Sequence, residues 1–148
     1  MILWALGMLG VLLGGWTLCS AQRMLHPNPT CPLDLCPPAG LRTRSILTHD
    51  RTNMPLWIYD AQPARGLLLA CHGLHANQRQ VHGMAQAMAR RGYTVMSCDW
   101  RGHGARKGRC TYGRDEVPDL IAILEWARAQ PQWASLPVGA IGWSFGGA

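Results

Sequence analysis

The sequence predicts an α/β fold, a mostly parallel sheet with flanking helices, and three observations support this prediction. Short apolar runs typical of buried strands alternate with segments of helical periodicity over residues 66–141. The chain is 48% hydrophobic and only 15% charged, which fits a packed globular protein and excludes a disordered polyelectrolyte. Its 148 residues suffice for one ordinary domain. Strands that alternate with helices in this way favour parallel pairing.

Five strands are expected. The first two, 41–48 and 55–59, are separated by a polar turn, and the second alternates moderately between apolar and polar residues. The run 66–71 is continuously apolar, as in strands buried on both faces of a sheet. Residues 93–98 and 138–141 form the last two strands, and the final strand leads directly into a serine-containing turn.

Two helices connect the last three strands. The first is predicted over 78–91, where the apolar residues recur at helical spacing, and Gly92 closes it. The second begins near Asp115, which can cap it, and ends at about Gln130 because Pro131 stops it. Pro118 is acceptable in its first turn.

The N-terminal residues are predicted to lie outside this domain. Residues 2–18 are apolar and uncharged, so 1–22 is expected to be a signal peptide or a membrane anchor. Residues 23–40 are a proline-rich linker, and the domain covers 41–148. The protein is thus expected to be membrane-associated or exported. Whether the segment is cleaved, and on which side of the membrane the domain lies, stays open.

Charge and cysteine content restrict the partners and the chemistry. The net charge is +6, but the arginines are spread along the chain without interleaved aromatics, so nucleic acid is not an expected partner. Cys31 and Cys36 could form a disulfide if the linker is exported. No metal is expected, because His72 and His75 lie on a turn and no H-E-x-x-H or paired C-x-x-C pattern occurs. No cofactor is expected either, since the glycines after Gly102 lack dinucleotide-binding spacing.

Ser144 is the strongest catalytic candidate. It lies in Gly142-Trp143-Ser144-Phe145-Gly146, a Gly-x-Ser-x-Gly sequence that follows a strand and precedes small residues. Such a turn holds a nucleophilic serine in a strained backbone conformation. A Cβ atom at Gly142 or Gly146 would crowd the turn.

An acyl-transfer nucleophile also needs N–H donors for the developing oxyanion. The main chain of Phe145 is one expected donor, and Leu74, after the His72-Gly73 turn that ends the third strand, is the other. The His72 side chain is expected only to satisfy backbone groups. Asp99 could be a triad acid, but a structural role, pairing with turn N–H groups or with Arg101 beneath the site, is favoured.

Together these motifs resemble the alpha/beta-hydrolase family, in particular its monoacylglycerol-lipase-like and serine-aminopeptidase-like branch. Five motifs occur in the family's order: His72-Gly73, Gly92-Tyr93-Thr94-Val95, Asp99 to Gly104, Tyr112-Gly113 followed by Glu116 and Asp119, and Gly142 to Gly147. The resemblance implies Ser144 as nucleophile and Leu74 and Phe145 as oxyanion donors. Arg106 is a departure, because the family often has serine at that place.

The resemblance also implies an acidic residue and then a histidine after the serine, and these 148 residues contain neither. We therefore expect the N-terminal part of a serine hydrolase, with a reading frame that continues for about 100–150 residues. In the family's strand order the serine-bearing strand lies inside the sheet, so here it would be an unpaired apolar edge. The alternatives are an inactive fragment and a non-catalytic binding module. Esterase, peptidase and thioesterase activities remain equally open.

Overall fold

The structure is a computed structural model that describes residues 2–25 and 36–148. Most of the predicted linker, including Cys31, lies outside the described residues, so the Cys31–Cys36 disulfide stays a prediction. The elements are helix α1 (Ile2–Leu25), five strands and two further helices. The strands are β1 (Arg42–Leu47), β2 (Asn53–Tyr59), β3 (Gly66–Cys71), β4 (Tyr93–Cys98) and β5 (Val138–Gly142).

The five strands form one sheet in the order β1-β2-β4-β3-β5. β4, β3 and β5 are parallel, whereas β1 pairs antiparallel with β2 and β2 pairs antiparallel with β4. The sheet is therefore mixed, and the prediction of a mostly parallel sheet was wrong for β1 and β2. A short turn joins these two strands, and a parallel pair would need a crossover of a dozen or more residues. As expected for these 148 residues, β5 lies at an edge of the described sheet.

The helices cover both faces of the sheet. A 3₁₀ turn, Gln78–Val81, precedes α2 (His82–Arg90), and α3 spans Glu116–Arg128. One core cluster lies on the α2 face and includes Trp57, Val81, Ala85 and Val95. The larger cluster lies on the α3 face and includes Leu56, Met96, Ile123, Ala127 and Trp133. Burial of the sheet on both faces explains why its central strands are continuously apolar.

The start of α3 differs from the predicted capping. Asp115 lies at the N-cap position, but its side chain makes no capping hydrogen bond. The neighbouring Glu116 carboxylate accepts hydrogen bonds from groups that precede the helix: Thr111 N–H and Gly113 N–H, both at 2.8 Å, and the Thr111 hydroxyl at 2.7 Å. The Glu116 carboxylate thus closes the turn that leads into the helix. Asp115 pairs with the exposed Arg114.

The N-terminal segment is helical, and α1 continues three residues into the stretch predicted as linker. Its end contacts the domain, since Leu25 O accepts a hydrogen bond from Cys110 N–H at 3.1 Å. In the described part of the chain, no helix is both long and apolar enough to cross a membrane. The described residues therefore give no support to the predicted membrane anchor. Cleavage and localisation stay predictions.

Candidate active site at the carboxyl edge of the sheet

The site lies where the chain changes direction across the sheet. From β3 the chain crosses to β4 on one side, and from β4 it returns past β3 to β5 on the other side. In open α/β sheets, a crevice forms outside the carboxyl ends of the strands at such a point, and ligands bind there. In this sheet the crevice is expected between the carboxyl ends of β3 and β5, where Cys71 lies opposite Gly142. The His72-Gly73 turn and the serine turn both start from these ends.

Ser144 sits on a tight turn between β5 and a 3₁₀ turn, Ser144–Gly147. Its φ angle is +48°, in the left-handed region that residues with a side chain rarely adopt. The turn is closed by a hydrogen bond from Gly146 N–H to Trp143 O at 2.9 Å. The Ser144 side chain is exposed, and among the described residues its hydroxyl makes no hydrogen bond.

The two glycines of the turn are required by close backbone contacts. An ideal Cβ atom on Gly142 would overlap the carbonyl oxygen of Gly146. A Cβ atom on Gly146 would lie 2.6 Å from the carbonyl oxygens of both Cys71 and His72. The structure therefore confirms the crowding that the sequence predicts at both positions. The same contacts seat the serine turn against the end of β3.

The backbone N–H groups near the serine differ in whether they have acceptors. Gly73 N–H donates to the Gln80 side chain at 2.7 Å. Within the described part of the chain, neither Leu74 N–H nor Phe145 N–H has an acceptor. The Gly73 backbone lies beside the turn, because a Cβ atom on it would be 3.8 Å from Ser144 Cβ. The two N–H groups predicted as oxyanion donors are thus free to bind a ligand, and their catalytic role stays a prediction.

An aromatic cluster fixes the residue after the serine. The Phe145 ring packs edge-on against Trp100 and Tyr112, with centroid distances of 5.9 and 5.6 Å, and stacks near-parallel to His103 at 6.3 Å. Sequence analysis did not identify this role of Trp100 and Tyr112, although both residues lie in motifs that it singled out. Rigid packing of the Phe145 side chain also holds its N–H group in place.

His72 links the ends of β3 and β4 from a fully buried position. Its Nε2 accepts a hydrogen bond from Trp100 N–H at 3.0 Å, so the proton resides on Nδ1, which donates to Gly73 O at 2.8 Å. Burial lowers the pKa of His72 to about 4, so the ring is neutral at pH 7. As expected, the side chain satisfies backbone groups, and it thereby fixes the turn that carries Leu74.

Asp99 has the structural role that the sequence favoured, and it pairs with turn N–H groups. Its carboxylate accepts hydrogen bonds from Gln78 N–H at 2.8 Å and Ala105 N–H at 2.9 Å. Burial raises its pKa, and these two N–H groups oppose that rise. Of the two alternatives predicted for Asp99, pairing with turn N–H groups is therefore found, and pairing with Arg101 is not. Arg101 turns instead toward Asp119 and Asp50, which lie 2.8 and 2.5 Å away.

Arg106 stands where the family often has a serine. Like Arg101, it pairs with Asp119, and the three side chains form one buried ion-pair network. Arg106 Nη1 lies 2.7 Å from the Asp119 carboxylate, whose side chain is fully buried between the two arginines. Asp119 therefore compensates two guanidinium groups from the loop after β4. The network fixes the base of this loop, which carries His103 against Phe145.

No general base contacts the serine in the described part of the chain. His75 is exposed on its loop, and His103 is buried with Nδ1 3.0 Å from Arg101 O. Neither histidine forms a hydrogen bond with Ser144. The described residues also contain no group of three His, Cys, Asp or Glu side chains that could hold a metal ion. The described residues thus provide a serine and two N–H groups without an acceptor, and no proton acceptor beside the serine.

The buried neutral state of His72 predicts a specific pH dependence of stability. Its pKa is about 4 when folded and about 6.5 when unfolded, so between these values only the unfolded chain gains the proton. The free energy of unfolding should therefore fall as the pH drops from 6.5 to 4, by on the order of 3 kcal/mol from this group. Burial also lowers the pKa of His103, which adds to the same trend.

Urea unfolding at pH 7 and pH 4.5 measures this effect. His72→Asn should reduce the loss of stability between the two pH values. His49→Asn, at an exposed histidine on the β1–β2 turn, serves as the control and should keep the wild-type loss. An equal loss of stability in wild type and His72→Asn would show that His72 is not the titrating group.

Comparisons with known proteins agree with this architecture. The X-Pro dipeptidyl-peptidase (S15) family matches residues 42–148. The Pyrococcus furiosus esterase Pf2001 is 25% identical with a TM-score of 0.67, over 82% of this chain and 49% of that chain. XC6422 from Xanthomonas campestris, an α/β serine hydrolase without a lid, is 24% identical with a TM-score of 0.61, over 80% and 55%.

A thermostable carboxyl esterase from Bacillus coagulans is 22% identical with a TM-score of 0.59, over 74% of this chain and 38% of that chain. The chain spans about half the length of the first solved structures that it matches. None of the curated proteins compared with it gives a significant match. The comparisons support the predicted resemblance to α/β hydrolases, and they do not confirm the monoacylglycerol-lipase-like branch. The chain has the α/β-hydrolase fold and belongs to the X-Pro dipeptidyl-peptidase (S15) family.

Proposed function

We propose that the protein is a serine hydrolase in which Ser144 attacks the carbonyl carbon of a small ester or amide. The observation that carries this proposal is the φ angle of +48° at Ser144 on a turn that only glycines can flank. Natural proteins retain such strained residues mainly at functional sites. A purely structural turn at this position would be more stable with glycine in place of Ser144.

The proposed reaction uses the geometry as follows. Ser144 Oγ bonds to the carbonyl carbon, and the carbonyl oxygen becomes an oxyanion that Leu74 N–H and Phe145 N–H stabilise. The leaving group departs with a proton, which leaves an acyl-enzyme that water then hydrolyses. Removing one such donor typically lowers the rate by two to three orders of magnitude. The serine proton needs a base, and the resemblance places that histidine and its acidic partner after the serine.

Two kinds of related protein suggest the substrate class: a peptidase family and esterases of similar fold. The family description indicates an amide bond that follows an X-Pro dipeptide, whereas the solved neighbours of similar fold include esterases. Both reactions proceed by acyl transfer to a serine, so the site supports either. Hydrolysis of Gly-Pro-p-nitroanilide would indicate the peptidase, and hydrolysis of p-nitrophenyl butyrate alone would indicate an esterase.

Labelling of the full-length protein with a fluorophosphonate tests the nucleophile. We expect about one label per chain and complete loss of labelling in Ser144→Ala, since the probe reacts with an activated serine. Ser135→Ala, at an exposed serine before β5, should be labelled like the wild type. Labelling that survives in Ser144→Ala would refute the proposal. Absence of labelling in an otherwise folded wild type would favour a non-catalytic binding module.

A further inference from the structure

A cavity opens at the same edge of the sheet, on the side away from Ser144. It has a volume of about 780 Å³ and lies between the β1–β2 turn and the loop that follows β4. β4 and β3 separate it from the serine turn at the end of β5. This size is ordinary for the binding site of a small organic molecule. The serine site described above does not use this cavity.

The charges around this cavity are unbalanced. Four cationic side chains and one carboxylate line it: Arg51, Arg101, Arg106, Lys107 and Asp50. Asp119 lies behind the wall and pairs with both buried arginines. With Asp119 included, two positive charges remain. A cavity with an excess of one charge sign attracts ligands of the opposite sign.

The acidic side chains cannot neutralise the outer cations, because they are already engaged. One Asp50 oxygen pairs with Arg101, and the other accepts from the hydroxyls of Thr48 at 2.5 Å and Thr52 at 3.0 Å. The Arg101 guanidinium and these hydroxyls hold the pKa of Asp50 well below its usual range, so it remains ionised. Asp119 is likewise saturated by its two arginines.

The outer cations are unpaired. In the described part of the chain, the exposed side chains of Arg51 and Lys107 form no ion pair or hydrogen bond. On the inner wall, Arg106 is 5% exposed, and its buried Nη2 has no acceptor among the described residues. An oxyanion in the cavity would supply the negative charge and the acceptors that the exposed Arg51 and Lys107 side chains lack among the described residues.

We propose that this cavity binds the phosphate or carboxylate group of a small organic molecule. Arg51 and Lys107 bind the anionic group, Arg101 and Arg106 form the cationic inner wall, and the remaining volume accommodates the rest of the ligand. The site is separate from the serine nucleophile, so its test does not depend on hydrolase activity.

Calorimetric titration with inorganic phosphate and, separately, with acetate at constant ionic strength tests this site. We expect saturable binding that weakens as sodium chloride is added, because exposed charges are screened by salt. The anion that binds more tightly identifies the group that the natural ligand carries. If neither anion binds saturably, the proposal is wrong.

Three substitutions locate the binding. Arg51→Gln and Lys107→Gln should each weaken anion binding roughly fivefold, the upper range for one exposed charge pair. Arg44→Gln, at an exposed arginine on β1 outside the cavity, removes the same charge and should leave affinity unchanged. Equal weakening in all three variants would show a general effect of net charge and would overturn the site. Fluorophosphonate labelling should be unaffected by all three substitutions.

Discussion

Gly142→Ala is expected to destroy the serine turn and to abolish fluorophosphonate labelling. The added Cβ atom would overlap the carbonyl oxygen of Gly146, which is backbone and cannot rotate away like a side chain. Nor can the backbone at Gly146 shift toward β3, because it already lies close to the Cys71 and His72 carbonyls. We expect a loss of about 3 kcal/mol or more in the free energy of unfolding, at the upper end for overpacking.

Gly139→Ala is the matched control, since it adds the same methyl group to the same strand. A Cβ atom on Gly139 would contact only the flexible Leu68 side chain, at 3.1 Å. We expect labelling to persist and stability to change by less than about 1 kcal/mol. Urea unfolding and probe labelling of both variants decide the question. Wild-type labelling in Gly142→Ala would show that the turn does not need the close contact described here.

Asp119→Asn is expected to cause the other large loss of stability. Asp119 accepts hydrogen bonds from Arg101 Nε and Nη2, both at 2.8 Å, and pairs with Arg106 Nη1 at 2.7 Å. The neutral amide would leave two buried guanidinium groups without sufficient negative charge. Removing one partner from a buried ion pair typically costs about 3–5 kcal/mol.

Asp115→Asn provides the control at the start of the same helix. Its partner, Arg114, has a side chain that is 77% exposed, so water replaces the lost interaction. We expect no measurable change in denaturant midpoint for Asp115→Asn and a large decrease for Asp119→Asn. If the two variants had the same midpoint, the network of Arg101 and Arg106 would not be a stabilising element.

The fold was predictable where the information is local. The apolar runs of β3 and β4 and the helical spacing in α2 and α3 are visible within short windows of sequence. Strand direction cannot be predicted from a short window of sequence. The pattern of β2 shows that it is a strand but does not show which neighbour it pairs with. The predicted helix over 78–91 begins as a 3₁₀ turn, Gln78–Val81, where the Asn77 side chain accepts the Arg79 N–H, and local periodicity did not show this difference.

The candidate site was likewise predictable only where its features depend on residues close together in sequence. The steric need for Gly142 and Gly146 follows from a five-residue sequence and was predicted. The partners of Arg101 could not be predicted, because Asp50 and Asp119 come from a turn and a helix far apart in sequence. Asp115 occupies the predicted N-cap position of α3, but the sequence rule could not show that its side chain makes no capping hydrogen bond. Gln80 binds Gly73 N–H by a contact that depends on where α2 packs.

The backbone angle at Ser144 has a consequence for the evolution of this chain. A residue with a side chain in the left-handed region costs about 1 kcal/mol relative to glycine. Ser144→Gly should therefore yield a protein that melts at a higher temperature while it loses the nucleophile. Selection for thermal robustness alone would remove serine from this turn. We therefore expect a lineage that keeps serine at 144 to be under selection for its hydroxyl group, and one that has lost this requirement to drift toward glycine.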